Sequence, residues 1–272
     1  MQNHSADLTL SSIFLALARK KESLNKTFLK PSTIVFFSIT LLDSVMKIRN
    51  PMKLSDKTTL LLKNFSSINQ SILFKSGNKL RSMSVMKNIL AEATIQEDIP
   101  KDFGIYDLNQ FLNGLSLHQS PELDFANDEY VLIKEGKMRS KYFFADPSII
   151  VGPPDKPIVL PSEDVCFVLT SQQLEKLRKA SSIYQLPDVS VIGANGVIKL
   201  VARDKKNDTS NDFSIIVGES DEIFTFNFKE ENLKIIPDTY NVVVSSKLLS
   251  RFSSQNYDLT YYIALEPDST FG

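Results

Sequence analysis

The stretch MKLSDKTTLLLKNFSSINQSILFKSGN (residues 52–78), continued by IYDLNQFLNGLSL (residues 105–117), decides the fold. Ser55 or Asp56 offers an oxygen that caps the first turn of a helix running to about Ile68. At about 100° per residue, Leu54, Leu61, Phe65 and Ile68 fall on one stripe. Lys53, Asp56, Thr59, Lys63 and Ser67 fall opposite, with Lys57 at the boundary. Residues 72–74, a turn at 75–78, a run from Leu80 and the alternation Ile89, Ala91, Ala93, Ile95 read as three antiparallel strands. Asp107 caps a second helix with Leu108, Phe111, Leu112 and Leu115 inward, and its polar face carries no cation. Residues 123–125, 130–133 and 138–144 follow as strands.

Working outward, a related pattern returns after Val165. Ser171 caps a helix that places Leu174, Leu177, Ala180 and Tyr184 on one side, Lys176 and Lys179 on the other, and Arg178 near the edge. The Ala194-Asn-Gly196 turn joins two alternating runs, and residues 213–217 and 223–228 form another hairpin. Residues 229–233 make a short helix stopped near Pro237, and strands at 240–245, 249–253 and 257–265 complete the chain. Each half is helix, strands, helix, strands, a repeat within the sequence. Antiparallel strands that bury one face need helices to cover it. The expected fold is therefore α+β, with two domains whose four helices lie on one face of a curved sheet. The domains are expected at 52–150 and 162–272. Residues 151–161 hold four prolines in eleven positions and suit an extended connector.

Residues 1–51 differ in character, with 7 basic and 3 acidic groups against 24 and 29 in the remainder. Their best apolar run, residues 33–42, is about half the ~20 residues of a membrane span. The expectation is an extra segment, disordered or arising from the choice of start codon, with Met52 as a candidate first residue of the folded protein. An acidic body argues against nucleic-acid binding through bulk charge, yet leaves room for cations gathered on one face. A single cysteine, Cys166, excludes a disulfide framework. His4 and His118 are the only histidines, so metal-ligand spacing and a Cys–His or Ser–His pair are both missing. Neither a Walker-type loop nor G-x-G-x-x-G occurs. The expectation is no enzyme, no metal and no cofactor. The lysines of the two long helices fit a solvated face as well as a ligand-facing one.

Beyond these patterns, Met52-Lys-Leu-Ser55, Leu61-Leu-Lys-Asn-Phe65, Lys75-Ser-Gly77, Ile105-Tyr-Asp-Leu-Asn109, Ala145-Asp-Pro-Ser148, Lys156-Pro-Ile158, Phe226-Asn-Phe228 and Ala264-Leu-Glu266 stand in one order over residues 52–272. In that order they resemble the DNA polymerase sliding clamps of T-even-type bacteriophages. The resemblance implies a DNA-clamp fold and a homotrimeric ring that encircles duplex DNA without reading sequence and tethers the replicative DNA polymerase, giving processivity in viral DNA replication. It implies that Lys53, Lys57, Lys63, Lys176, Arg178 and Lys179 face DNA. It also implies a partner-peptide pocket formed by Ile158, Val159 and Leu160 with Ile263, Ala264, Leu265 and Pro267. An ATP-dependent clamp loader is the further implied partner, with a late-transcription sigma-like factor and co-activator, in the cytoplasm of the infected bacterial host. The other reading is a β-rich phage structural or assembly protein that does not encircle DNA.

Overall fold

The computed structural model describes residues 51–272, and the expectation for the leading segment falls outside them. Helix α1 (Asp56–Ile68) starts at Ser55, whose hydroxyl accepts a hydrogen bond from the Thr58 amide at 3.2 Å. Glu97 fastens the same helix end to a strand by accepting from the Ser55 amide and, at 2.6 Å, from the Thr58 hydroxyl. Burial alone would raise the Glu97 pKa, but the hydrogen bonds from Thr58 and Ser55 outweigh it and hold the carboxyl below its ordinary value.

The first half continues through β1 (Ile72–Phe74), β2 (Gly77–Met83), β3 (Ile89–Ile99), β4 (Phe103–Ile105), α2 (Leu108–Leu115), β5 (Glu122–Asp124), β6 (Tyr130–Glu135) and β7 (Met138–Phe143). Asp107 caps α2, and Leu108, Phe111, Leu112 and Leu115 are all buried. After the connector come β8 (Val165–Leu169), α3 (Ser171–Tyr184), β9 (Asp188–Ala194), β10 (Val197–Arg203), β11 (Phe213–Glu219) and β12 (Phe224–Lys229). Then follow β13 (Tyr240–Ser245), β14 (Leu249–Ser254), β15 (Leu259–Ala264) and β16 (Thr270–Phe271). Asn195 and Gly196 both have positive φ, 54° and 78°, the tight hairpin turn that the Asn-Gly pair signals.

Two expectations are corrected. Thr170, not Ser171, caps α3, in a capping box with Gln173. Only three α-helices occur among the described residues, because residues 229–233 give no more than the 3₁₀ turn Glu230–Asn232. Beyond that turn Leu233, Ile235 and Ile236 are all buried while Lys234 between them is exposed. Pro237 bars a helix from running on.

A six-stranded sheet has the order β2-β3-β15-β14-β13-β8, and a five-stranded sheet the order β11-β10-β9-β12-β16. The pairing of β15 with β3 sets Leu259 opposite Ala93, Tyr261 opposite Ala91 and Ile263 opposite Ile89, so the larger sheet crosses unbroken between the two halves. The meander β5-β6-β7 and the pair β1-β4 complete the strands. Helix α1 packs on β2, β3 and α2, while α3 packs on β10 and β11. One apolar cluster runs from Leu61 and Phe65 under α1 to Leu174 and Leu177 under α3.

Candidate nucleic-acid interface

The stretch that replaces a fourth helix is held by side chains from both halves. Arg178 on the flank of α3 donates from Nη2 to the carbonyl of Leu233 and, at 2.7 Å, to that of Ile235. Asn64 on the flank of α1 donates to the carbonyl of Lys234 at 3.0 Å. The Tyr261 hydroxyl accepts from the Ile236 amide and donates to Asn64 Oδ1 at 2.7 Å, and the Tyr240 hydroxyl donates to the Ile236 carbonyl at 2.7 Å. Without helical hydrogen bonds of their own, these backbone groups need such partners. Burial pushes both tyrosine hydroxyls above the ordinary range, which keeps them protonated donors. Burial likewise draws the Arg178 pKa down, opposed by the nearby Glu230. The layer therefore runs α2, α1, residues 233–236, α3. Nothing in the spacing of Asn64, Tyr240 or Tyr261 announces this role. The available signal was a polar group at the rim of an apolar stripe.

This arrangement sorts the six cations expected on the helix side. Lys63, Lys176 and Lys179 are exposed, with no ammonium partner among the described residues. Lys57 lies on the α1 flank with its ammonium 5.0 Å from the centre of the Tyr257 ring. Lys53 precedes α1, donates to Ser120 Oγ at 3.1 Å and pairs with Glu122 at 3.4 Å, so an acid already answers its charge. Arg178 corrects the expectation outright, since its guanidinium turns inward to the carbonyls of Leu233 and Ile235. A long flank residue at the edge of a helix serves whichever neighbour approaches it, and here that neighbour is backbone.

The seven residues expected to form a partner pocket separate just as clearly. Ile263 is fully buried in β15, and Leu265 and Leu160 are 6% and 8% exposed, so these three are core at the joint between the halves and not open lining. Sheet pairing aims Ile263 inward, while Leu265 follows the strand with its amide bound to the Leu248 carbonyl. Val159, at 78%, and Pro267 are exposed, and Ile158 and Ala264 are half-buried. A cleft of about 260 Å³ runs beside the connector, but Lys79, Arg81, Glu92, Asp155, Pro157 and Asp258 are among its lining residues and none of the seven is.

A second groove, of about 660 Å³, lies between α3 and β11, lined by Lys176, Lys179, Ala180, Ile183, Tyr184 and Phe213 among others. Strand β11 is an outer strand of its sheet, and β7 is an outer strand of the meander. Both expose apolar side chains: Ile216 on β11, and Met138 and Phe143 on β7. His118 lies buried behind the meander with Nδ1 3.7 Å from Glu135. Among the described residues no group of three or more His, Cys, Asp or Glu side chains is placed to hold a metal ion. No described helix is long and apolar enough to cross a membrane.

Residues 53–151 match the family model described as DNA polymerase processivity factor, and residues 166–267 match one described as gp45 sliding clamp, C terminal. The sliding clamp of Vibrio phage KVP40 is 32% identical over 222 residues, covering 79% of this chain and 99% of that protein. The sliding clamp of Enterobacteria phage T4 is 33% identical over 228 residues, covering 80% and 99%. Among solved structures, the proliferating cellular nuclear antigen of Entamoeba histolytica superposes with a TM-score of 0.61 at 16% identity, covering 80% of this chain and 98% of that one. The antigen from A. fulgidus, bound to the C-terminal region of FEN-1, superposes with a TM-score of 0.58 at 15% identity, covering 81% and 99%. At such identities the two structures speak for the fold alone.

Proposed function

The chain belongs to the sliding-clamp family of DNA polymerase processivity factors, and from that membership we propose that three copies close head to tail into a ring around duplex DNA. The carrying observation is the layer order. The six-stranded sheet crosses between the halves, α1 packs on its β2 and β3 while α3 packs on β10 and β11 of the five-stranded sheet, and Lys63, Lys176 and Lys179 of these two helices are exposed without partners among the described residues. Cations so placed meet phosphates and read no bases. Each contact is weak and salt-dependent, which suits a protein that must slide while its closed topology prevents escape.

Ring closure is assigned to the two outer strands. Unpaired edges with apolar side chains invite another strand, so β7 of one copy adds to β11 of the next. Phe143 and Met138 then approach the groove between α3 and β11. The ring tethers the replicative polymerase, turning repeated rebinding into an intramolecular event. The polymerase peptide docks on the exposed side of the connector at Val159, with Ile158, Ala264 and Pro267 beside it. An ATP-dependent clamp loader opens the ring, and late-transcription factors use the same surface, in the cytoplasm of the infected host. The chain performs no covalent step in this scheme.

Light scattering of the full chain after size exclusion, at several concentrations, tests the ring. The expected mass is about three times 30.6 kDa, falling on dilution, and Ile216→Asp on β11 is expected to prevent assembly. A strict monomer at every concentration overturns the ring and the sliding mechanism with it.

A further inference from the structure

Lys234 lies two residues beyond the 3₁₀ turn Glu230–Asn232. Its own carbonyl accepts from Asn64 on α1, and the carbonyls on either side of it, those of Leu233 and Ile235, accept from Arg178 on α3. The residue is therefore midway between the two helices. Leu233, Ile235 and Ile236 are 5%, 2% and 4% exposed. With its neighbours turned into the core, the Lys234 side chain projects outward from the layer that α1 and α3 share. It is exposed, and its ammonium has no hydrogen-bond or ion-pair partner among the described residues.

We propose that Lys234 is a phosphate-contacting residue of the DNA passage, presented by a side-chain-clamped segment and continuing the basic row from Lys63 on α1 to Lys176 and Lys179 on α3. This deepens the ring reading and rests on it. The clamp explains why the segment needs four anchoring side chains. A lysine on a free loop would lose its placement, whereas here every backbone carbonyl from 233 to 236 is held. Arg178 thus serves DNA indirectly, as a positioning residue: its guanidinium donates to the carbonyls of Leu233 and Ile235 on either side of Lys234.

The test is the salt dependence of binding between the full chain and a short labelled duplex, followed by fluorescence anisotropy. Each lost phosphate contact lowers the slope of log affinity against log salt by about 0.9, so a substitution carried by the three copies of the ring lowers it by about 0.9 to 2.7. Lys234→Ala is expected to lower it by about that amount, with Lys234→Arg restoring it. The thermal midpoint should not move, because the carbonyl that Asn64 uses is kept. Lys63→Ala and Lys179→Ala serve as controls. If they lower the slope and Lys234→Ala does not, the Lys234 assignment is overturned and the ring reading stands. If none of the three changes the slope, both fall together.

Discussion

Replacing Arg178 by alanine separates two roles that a positive charge on a helix flank can play. In the structure the guanidinium gives two hydrogen bonds to the carbonyls of Leu233 and Ile235, in a stretch with no secondary structure of its own to satisfy them. Hydrogen bonds from a charged donor contribute about 1.5–3 kcal/mol each. Arg178 is only half-buried, so the lower figure applies to both bonds, and the truncation should cost about 3 kcal/mol. That is roughly two orders of magnitude in the folding constant. Urea unfolding of the full chain at one fixed concentration measures it, since the stability of an oligomer varies with concentration. The midpoint should fall with the m-value unchanged. Arg178→Lys should lie between, because an ammonium lacks the planar fork that reaches both carbonyls. Were Arg178 instead a direct phosphate contact, stability would stay within about 0.5 kcal/mol, as surface substitutions usually do. The salt slope of DNA binding would then fall by about 0.9 for each copy that touches the duplex, with no accompanying unfolding. That pair of results would refute the inward assignment.

Two further outcomes follow from the site. Glu97 has a folded pKa below its ordinary value, so its contribution is complete above the unfolded pKa of about 4.3 and is lost as pH falls through the folded one. Glu97→Gln should flatten this acid limb and cost on the order of 1–3 kcal/mol at neutral pH, because the Ser55 amide and Thr58 hydroxyl lose a charged acceptor; pH-dependent thermal melts measure both, and an unchanged acid limb would remove Glu97 from its anchoring role. Val159→Glu should abolish stimulation of primer extension by the polymerase without moving the melting midpoint, whereas Leu160→Glu should unfold the joint, since the two are 78% and 8% exposed; full stimulation by the Val159 variant would take the docking surface elsewhere.

The elements and the faces they bury are legible from local patterns in the chain. The caps at Ser55 and Asp107, the apolar stripes of α1 and α2 and the Asn195-Gly196 turn depend on residues close together in the chain, and each stands where the local pattern puts it. The ordered motifs along residues 52–272 likewise sufficed for the family. Only the tertiary structure decided what the flanks of those helices meet. Arg178 and Lys179 are neighbours in sequence and both cationic, yet one turns to the carbonyls of Leu233 and Ile235 and the other to open space. Ile263 and Val159 are both apolar candidates for a pocket, yet pairing with β3 and β14 buries the first while the connector leaves the second uncovered. Local periodicity fixes the direction a side chain leaves its own element. Whether it then meets backbone, core or solvent depends on residues distant in the chain, such as Leu233 and Ile235 for Arg178 and Ile89 for Ile263, which only packing brings alongside.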